Sequence, residues 1–138
     1  KLPSHYGHEE RGAKIIDKLC KRYRIPNKYR ELAVNVSRFH LDCHRIQEMK
    51  PETVLKKLEQ LDAFRRPERF EQFLIACEAD ARGCAGFEDR EYPQIKYFQS
   101  ALKAASEIDT SELQRQGFEG KILGQEIKKQ QIKNIKEI

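Results

Sequence analysis

Asp80 is the residue of this sequence whose position points most directly to chemistry. It falls near the end of the stretch Phe73–Gly83, which reads FLIACEADARG. At helical spacing its neighbours on one face are apolar: Phe70, Phe73, Leu74, Cys77 and Ala81. A carboxylate that faces a core needs a partner, because burying an unpaired charge is costly. Two partners are open: an arginine or backbone donor, or a metal ion that histidines also bind.

Histidines elsewhere in the chain offer nitrogen ligands for such an ion. His40 and His44 are four residues apart, a spacing that puts both rings on one helix face, where they could share a metal. His8 precedes a predicted helix and could cap it or bind a metal. His8, His40 and Asp80 come from separate helices or helix starts, which is how helical proteins build metal sites. Satisfied core or surface histidines are the alternative.

Basic residues concentrate in two other stretches of the chain. The first contains Lys21, Arg22, Arg24 and Lys28, and the second contains Arg65, Arg66 and Arg69. Tyr23 and Tyr29 interleave with the first stretch, a mixture that suits a nucleic-acid phosphate backbone. We therefore predict that one or both clusters contact RNA. Each cluster could instead be only a solvated face.

The elements that position these residues are predicted to be helices throughout. Prolines mark the start of four of them: Pro26, Pro51, Pro67 and Pro93. Asp109 and Glu112 have the spacing of a capping box, and the short helix that they open stops at Gly117. The first helix is expected to bury one face, made of Gly12, Ile15, Ile16, Leu19, Cys20 and Tyr23. No stretch shows β alternation, so the fold class is all-α, a bundle of about six helices.

Composition is consistent with a helical domain that meets a polyanion. The chain has 138 residues, 38% hydrophobic and 36% charged, and carries a net charge of +5. The basic balance favours RNA or DNA as a partner, although a solvated basic surface explains it equally well. The four cysteines form no CxxC pair and are expected to be reduced thiols. No signal peptide and no apolar run near 18 residues occurs, so we predict a cytoplasmic protein without a membrane span.

Several catalytic motifs are missing from the sequence. It has no Gly-Ser followed by an Asp-x-Asp pair, the acidic pair of a nucleotidyl-transfer site. It has no Walker loop and no Gly-x-Ser-x-Gly nucleophile motif.

Three segments together resemble bacterial multifunctional CCA proteins, tRNA nucleotidyltransferases that carry a C-terminal HD phosphohydrolase domain. The segments are GHEERGAKIIDKLCKRYRIPNKYRELAVNVSRFH, KPETVLKKLEQLDAFRRPERFEQFLIACEADARGCAGFEDREYP and GFEGKILGQEIKKQQIKNI. The resemblance covers essentially the whole chain, and EADARG and GFEG are its most specific parts. It implies an incomplete HD-type domain over residues 1–108 and a C-terminal helical extension over residues 109–138.

The resemblance also implies an activity for the parent protein. Such enzymes add or repair the CCA end of tRNA with CTP and ATP, using Mg²⁺. Their HD domain implies 2′,3′-cyclic phosphodiesterase, 2′-nucleotidase and phosphatase activities that depend on Ni²⁺, Mn²⁺ or Mg²⁺. A homodimer is compatible with the resemblance. The alternative is a non-catalytic helical module that binds tRNA.

Residue by residue, the resemblance assigns metal ligands at His8, His40 and Asp80, with His40 and Asp80 also as catalytic residues. The His-Asp doublet that defines HD domains is expected upstream of Lys1. The family often has Asp directly after the residue that matches His40, whereas this chain has Leu41 there and Asp42 one position later. One step is about 100° around a helix, so Asp42 is not carried over. Because the expected His-Asp doublet is missing from the 138-residue chain, we expect that chain alone to be inactive.

Overall fold

A computed structural model of the protein describes residues 6–138. These described residues contain seven α-helices: α1 (His8–Arg22), α2 (Asn27–His44), α3 (Pro51–Gln60), α4 (Pro67–Arg82), α5 (Gln94–Ser106), α6 (Thr110–Arg115) and α7 (Gly120–Lys136). A short 3₁₀ helix, Ile46–Glu48, lies between α2 and α3. The described residues contain no strand, and the all-α prediction is confirmed.

The chain forms two compact units, each made of two separate stretches of sequence. One unit combines the chain up to Arg45 with Glu68–Tyr92, and the other combines Ile46–Pro67 with Pro93–Ile138. The first unit holds α1, α2 and nearly all of α4, and the second holds α3, α5, α6 and α7. The boundary expected between residues 108 and 109 coincides with none of the three breaks between these stretches, and as a statement about family domains it stays a prediction.

In the first unit, α4 supplies most of the core. The apolar face expected for this helix is confirmed, since all five of its residues are buried: Phe70, Phe73, Leu74, Cys77 and Ala81. The rings of Phe70 and Phe73 stack with centroids 6.5 Å apart. Cys43 of α2 is buried as well. Burying a side chain of this kind stabilises a fold by about 1.5–3 kcal/mol, so α4 is fixed in one rotational setting about its axis.

The expectation for α1 is wrong in part. Ile15, Leu19 and Tyr23 are 64%, 53% and 61% exposed, whereas Ala13 and Cys20 are the residues that α1 buries. Helical periodicity correctly identified an apolar side of the helix. That side is wider than the strip that α2 covers, so its outer residues lie at the surface.

α1 and α2 approach each other closely at a glycine. A Cβ atom built at Gly12 would lie 2.6 Å from Oγ of Ser37, which donates a hydrogen bond to the carbonyl oxygen of Glu9. Next to this point Arg38 donates two hydrogen bonds of 3.0 Å to the carboxylate of Glu10. These bonds lower the pKa of Glu10. The backbones of α1 and α2 are thus held together directly beside His8 and His40.

The second unit is built around α3, α5 and α7. The face expected for α3 is confirmed, since Val54, Leu55, Leu58 and Leu61 are all buried. Phe98, Ala101 and Ala105 of α5 and Ile135 of α7 complete this core. Side-chain amides of α7 also satisfy carbonyl groups near the end of α5, because Asn134 donates to Ala104 and Gln131 donates to Ala105.

The short helix α6 has the ends that its sequence predicts. Asp109 accepts a hydrogen bond of 2.9 Å from the backbone N–H of Glu112, as an N-cap does. Gly117 follows the helix with φ of 96°, a left-handed conformation that favours glycine.

The close approach at Gly12 predicts a coupling between two substitutions. Gly12→Ala alone forces the Ser37 hydroxyl to turn away from Glu9, which costs about 1 kcal/mol of hydrogen bonding. In a Ser37→Ala background the nearest remaining atom, Cβ of residue 37, is 3.9 Å away, so the added methyl group fits. Gly12→Ala should therefore be about 1 kcal/mol more favourable in that background. Urea unfolding of the four variants measures this difference, and additive effects would contradict the close approach.

Candidate functional site

A cavity of about 410 Å³ opens within the first unit. Its lining is largely apolar and comes from α1, α2 and α4, with Ile16, Tyr29 and Leu32 among the larger side chains. His40 and Asp80, two of the residues singled out from the sequence, also line it. The structure thus places an imidazole from α2 and a carboxylate from α4 at one cavity.

Three histidines of the described residues, His8, His40 and His44, form a row that ends at Asp80. The ring centroids of His8 and His40 are 6.4 Å apart, and those of His40 and His44 are 5.9 Å apart. Nε2 of His44 lies 2.8 Å from Oδ2 of Asp80. His8 thus neighbours His40, His40 neighbours His44, and His44 is hydrogen-bonded to Asp80.

Asp80 differs from its sequence-based description in two respects. Its side chain is 51% exposed, so it lies at the surface of the unit rather than in the core. Its hydrogen-bond donor is neither an arginine nor a backbone N–H but the imidazole of His44. Because a carboxylate accepts hydrogen bonds, Nε2 of His44 carries the proton.

His44 belongs to a chain of hydrogen bonds that runs into the core. Its Nδ1 lies 2.8 Å from the hydroxyl of Tyr92, whose ring stands almost perpendicular to the imidazole with a centroid distance of 5.6 Å. With its proton on Nε2, His44 accepts at Nδ1, so the Tyr92 hydroxyl donates to it. Sγ of Cys43 lies 3.4 Å from the same hydroxyl oxygen. Cys43 in turn forms a hydrogen bond with Cys77, which together with burial raises the pKa of the Cys77 thiol.

Sequence reasoning missed the roles of His44 and Tyr92. The four-residue spacing from His40 marked His44 as a neighbour on the same face, and this was the available signal. Tyr92 lies in an irregular stretch after α4, where no periodicity predicts which way a side chain points.

His40 is oriented by its own helix. Its Nδ1 lies 2.8 Å from the carbonyl oxygen of Val36, one turn earlier in α2. A carbonyl oxygen only accepts, so Nδ1 is the protonated nitrogen and the lone pair of the neutral ring is on Nε2. Metal-binding histidines are commonly held in this way, with one nitrogen bonded to a carbonyl and the other directed at the ion.

A complete ligand set is not assembled within residues 6–138. No three histidine, cysteine, aspartate or glutamate side chains of this range are grouped so as to hold a metal ion. The metal-binding and catalytic roles of His8, His40 and Asp80 stay predictions.

The first predicted RNA-binding cluster is exposed. Lys21, Arg22, Arg24 and Lys28 all lie at the surface. Arg22 lies over the ring of Tyr23 and Lys28 over that of Tyr29, at 5.5 Å and 4.9 Å from the ring centroids. Lys21 also pairs with Asp17 at 2.9 Å, and this contact lowers the pKa of Asp17.

The second predicted cluster is divided between the units. Arg65 and Arg66 belong to the second unit, where both lie within 4 Å of Asp62, and the Arg65 side chain is 76% exposed. Arg69 belongs to the first unit, where its guanidinium pairs with Glu31 and its side chain is only 19% exposed. Of these three arginines, Arg65 is therefore the most accessible to a phosphate.

All four cysteines are free, and Cys84 alone among them is exposed. Within the described part of the chain, no helix combines the length and apolar character needed to cross a membrane.

Comparison with known proteins shows what this helical site is related to. The chain is 51% identical over 137 residues to the multifunctional CCA protein of Thioalkalivibrio sulfidiphilus, and 48% identical over 135 residues to that of Nitrosococcus oceani. The multifunctional CCA protein of Pseudomonas fluorescens is 44% identical over 136 residues. These matches cover 98–99% of this chain and 33–34% of each relative.

The chain is thus homologous, along nearly its whole length, to one region of multifunctional CCA proteins. The predicted resemblance to that family is confirmed, and the chain spans about a third of the length of these relatives. No family model matches the chain. No solved structure matches it either.

The buried hydroxyl of Tyr92 predicts an alkaline limit to stability. Tyr92 is 7% exposed, and burial, helped by its bond to Cys43, raises the pKa of its hydroxyl. The unfolded chain ionises this tyrosine above about pH 10, whereas the folded chain keeps it neutral. The stabilisation from Tyr92 is therefore complete below about pH 10 and declines above it. Urea unfolding from about pH 8 to 11 should show the advantage of the wild-type chain over Tyr92→Phe shrinking, and a constant difference would contradict it.

Proposed function

We propose that this chain is the helical phosphohydrolase region of a CCA-adding tRNA nucleotidyltransferase. The parent enzyme adds or repairs the CCA end of tRNA with CTP, ATP and Mg²⁺, in the cytoplasm. Within that enzyme this region is part of the HD domain, which acts as a 2′,3′-cyclic phosphodiesterase, 2′-nucleotidase and phosphatase with Ni²⁺, Mn²⁺ or Mg²⁺, whereas the 138-residue chain alone is inactive. The observation that carries the proposal is the match of 98–99% of the chain to multifunctional CCA proteins.

The donors at the cavity support this proposal by their chemistry. Imidazole nitrogen and carboxylate oxygen together suit divalent first-row metals. His8, His40 and Asp80 would hold the ion, with His40 using Nε2 because Nδ1 is bonded to Val36. A bound ion supplies charge stabilisation at a phosphoryl oxygen and lowers the pKa of a water molecule. Since the described residues form no three-ligand group, we propose that upstream residues complete the set.

A second candidate function is a non-catalytic helical module that binds tRNA. The observation that favours it is the hydrogen bond between Asp80 and His44, which gives the carboxylate a partner without any metal. Independently of this choice between functions, the exposed apolar residues Ile15, Leu19 and Tyr23 support pairing of two chains in a homodimer. Measurements of turnover separate this module from the hydrolase.

The ligand count predicts which polypeptide is active. A catalytic metal needs about three protein ligands and an open position. The 138-residue chain should therefore not hydrolyse 2′,3′-cyclic AMP with Mn²⁺, whereas a polypeptide extended upstream of Lys1 should. Asp80→Ala in the extended polypeptide should lower turnover by more than the roughly 100-fold that loss of an outer hydrogen-bond partner costs.

The matched control for this experiment is Asp89→Ala, which removes an exposed carboxylate from the irregular stretch after α4 and should leave turnover unchanged. If the 138-residue chain is as fast as the extended one, the ligand assignment is wrong. If Asp80→Ala is fully active, the binding module is the better description.

The exposed basic cluster predicts salt-dependent binding of tRNA. Phosphate contacts release counterions, so affinity should fall steeply as NaCl is raised from about 50 to 200 mM. The double substitution Arg22→Ala with Lys28→Ala should weaken binding and reduce the slope against log salt by roughly one per lost contact. Filter binding or fluorescence anisotropy with unmodified tRNA measures both quantities.

Arg115→Ala is the control for charge alone, because it removes one exposed arginine, paired with Glu112, from outside both clusters. It should leave the salt slope unchanged. Binding that ignores salt, or an equal effect of Arg115→Ala, would contradict the predicted interface.

A further inference from the structure

We propose that His44 and Tyr92 are positioning residues, which hold the Asp80 carboxylate in the orientation that a metal ion at the cavity requires. The inference rests on the proposed hydrolase function. Neither residue is among the three ligands that the family resemblance assigns, although its spacing from His40 offered His44 as a second ligand of one metal.

The geometry begins with one oxygen of Asp80. Oδ2 is 2.8 Å from Nε2 of His44, so the carboxylate is tied at this oxygen while Oδ1 keeps its own lone pairs for a ligand. An aspartate side chain that is half exposed otherwise has several rotamers open to it. The bond to His44 selects among them.

The imidazole of His44 is itself held in place. Both ring nitrogens have hydrogen-bond partners, Asp80 on one side and the Tyr92 hydroxyl at 2.8 Å on the other. The ring of Tyr92 crosses it at 88°, which restricts rotation further. A histidine with only one of these two bonds could turn its ring away from the carboxylate.

Tyr92 connects this arrangement to the core. It is buried, and its hydroxyl oxygen lies 3.4 Å from Sγ of Cys43, which lies beside Cys77. This series of contacts thus joins α2, the stretch after α4 and α4 itself, through Cys43, Tyr92, His44 and Asp80. Its inner end is in a packed core that moves little, and its outer end is the carboxylate at the cavity.

A contribution to folding stability does not explain well why Tyr92, His44 and Asp80 are joined in this way. A single hydrogen bond to a carboxylate that is half exposed contributes little to folding free energy. Outer hydrogen-bond partners of metal ligands, by contrast, typically change metal affinity or activity by about 10–100-fold when they are lost. The two roles therefore give different measurable results.

The test uses the extended polypeptide, with its Mn²⁺ dissociation constant from calorimetry, kcat and KM for 2′,3′-cyclic AMP, and its thermal unfolding midpoint. Tyr92→Phe removes one oxygen atom, and His44→Ala removes the imidazole. His44→Gln keeps an N–H donor near the place of Nε2. Tyr97→Phe, a half-buried tyrosine of α5, is the matched control for loss of a hydroxyl.

We expect His44→Ala to weaken Mn²⁺ binding by about 10–100-fold and to lower kcat with little change in KM. Tyr92→Phe should weaken Mn²⁺ binding less than His44→Ala, and His44→Gln should recover part of the loss. Tyr97→Phe should change none of these quantities.

The opposite results are equally distinct. If Asp80→Asn abolishes Mn²⁺ binding while Tyr92→Phe and His44→Ala keep wild-type affinity, the positioning role is wrong and the proposed function stands. The positioning role is also wrong if Tyr92→Phe and His44→Ala lower only the unfolding midpoint. If folded Asp80→Asn binds Mn²⁺ and turns over normally, the proposed function fails, and the inference fails with it.

Discussion

The hydrogen bond between His44 and Asp80 joins the two helices that carry the ionisable groups of the cavity. α2 presents His40 and His44 one turn apart, and α4 presents Asp80. Neither helix could slide or rotate by one residue without separating Nε2 from Oδ2, because one residue turns a helix by about 100°. The cavity, the histidine row and the bond to Tyr92 all depend on this register.

The register is set by packing rather than by the hydrogen bond. α4 buries five apolar side chains on one face, and Cys77 on that face lies beside Cys43 of α2. Burial of this kind contributes several times more free energy than one half-exposed hydrogen bond. The core therefore places α4, and His44 then selects the orientation of the carboxylate at the end of that helix.

The sequence predicted best the features that depend on one helix alone, such as which of its faces is buried. The face of α4 and that of α3 followed directly from spacing, as did the cap at Asp109, because these features depend on residues a few positions apart. Asp80 was expected on the buried face, and it does follow Cys77 by three residues. It is nevertheless half exposed, although the next residue, Ala81, is buried.

Partners that are distant in sequence could not be predicted in this way. The donor to Asp80 comes from a residue 36 positions earlier, and the hydroxyl that holds His44 comes from one 48 positions later. Periodicity likewise identified an apolar side of α1 but not how much of it another helix covers. Ile15, Leu19 and Tyr23 have the composition of a buried face and lie at the surface of the described structure.

The partner found for Asp80 changes which observation supports a hydrolase. A lone carboxylate in a core would have called for a cation, but Asp80 is half exposed and already accepts a hydrogen bond. Its need for a partner therefore no longer points to a metal. The proposed metal site is supported instead by the position of His40. Its Nε2 is left as an acceptor, and it lies at the same largely apolar cavity as the Asp80 carboxylate.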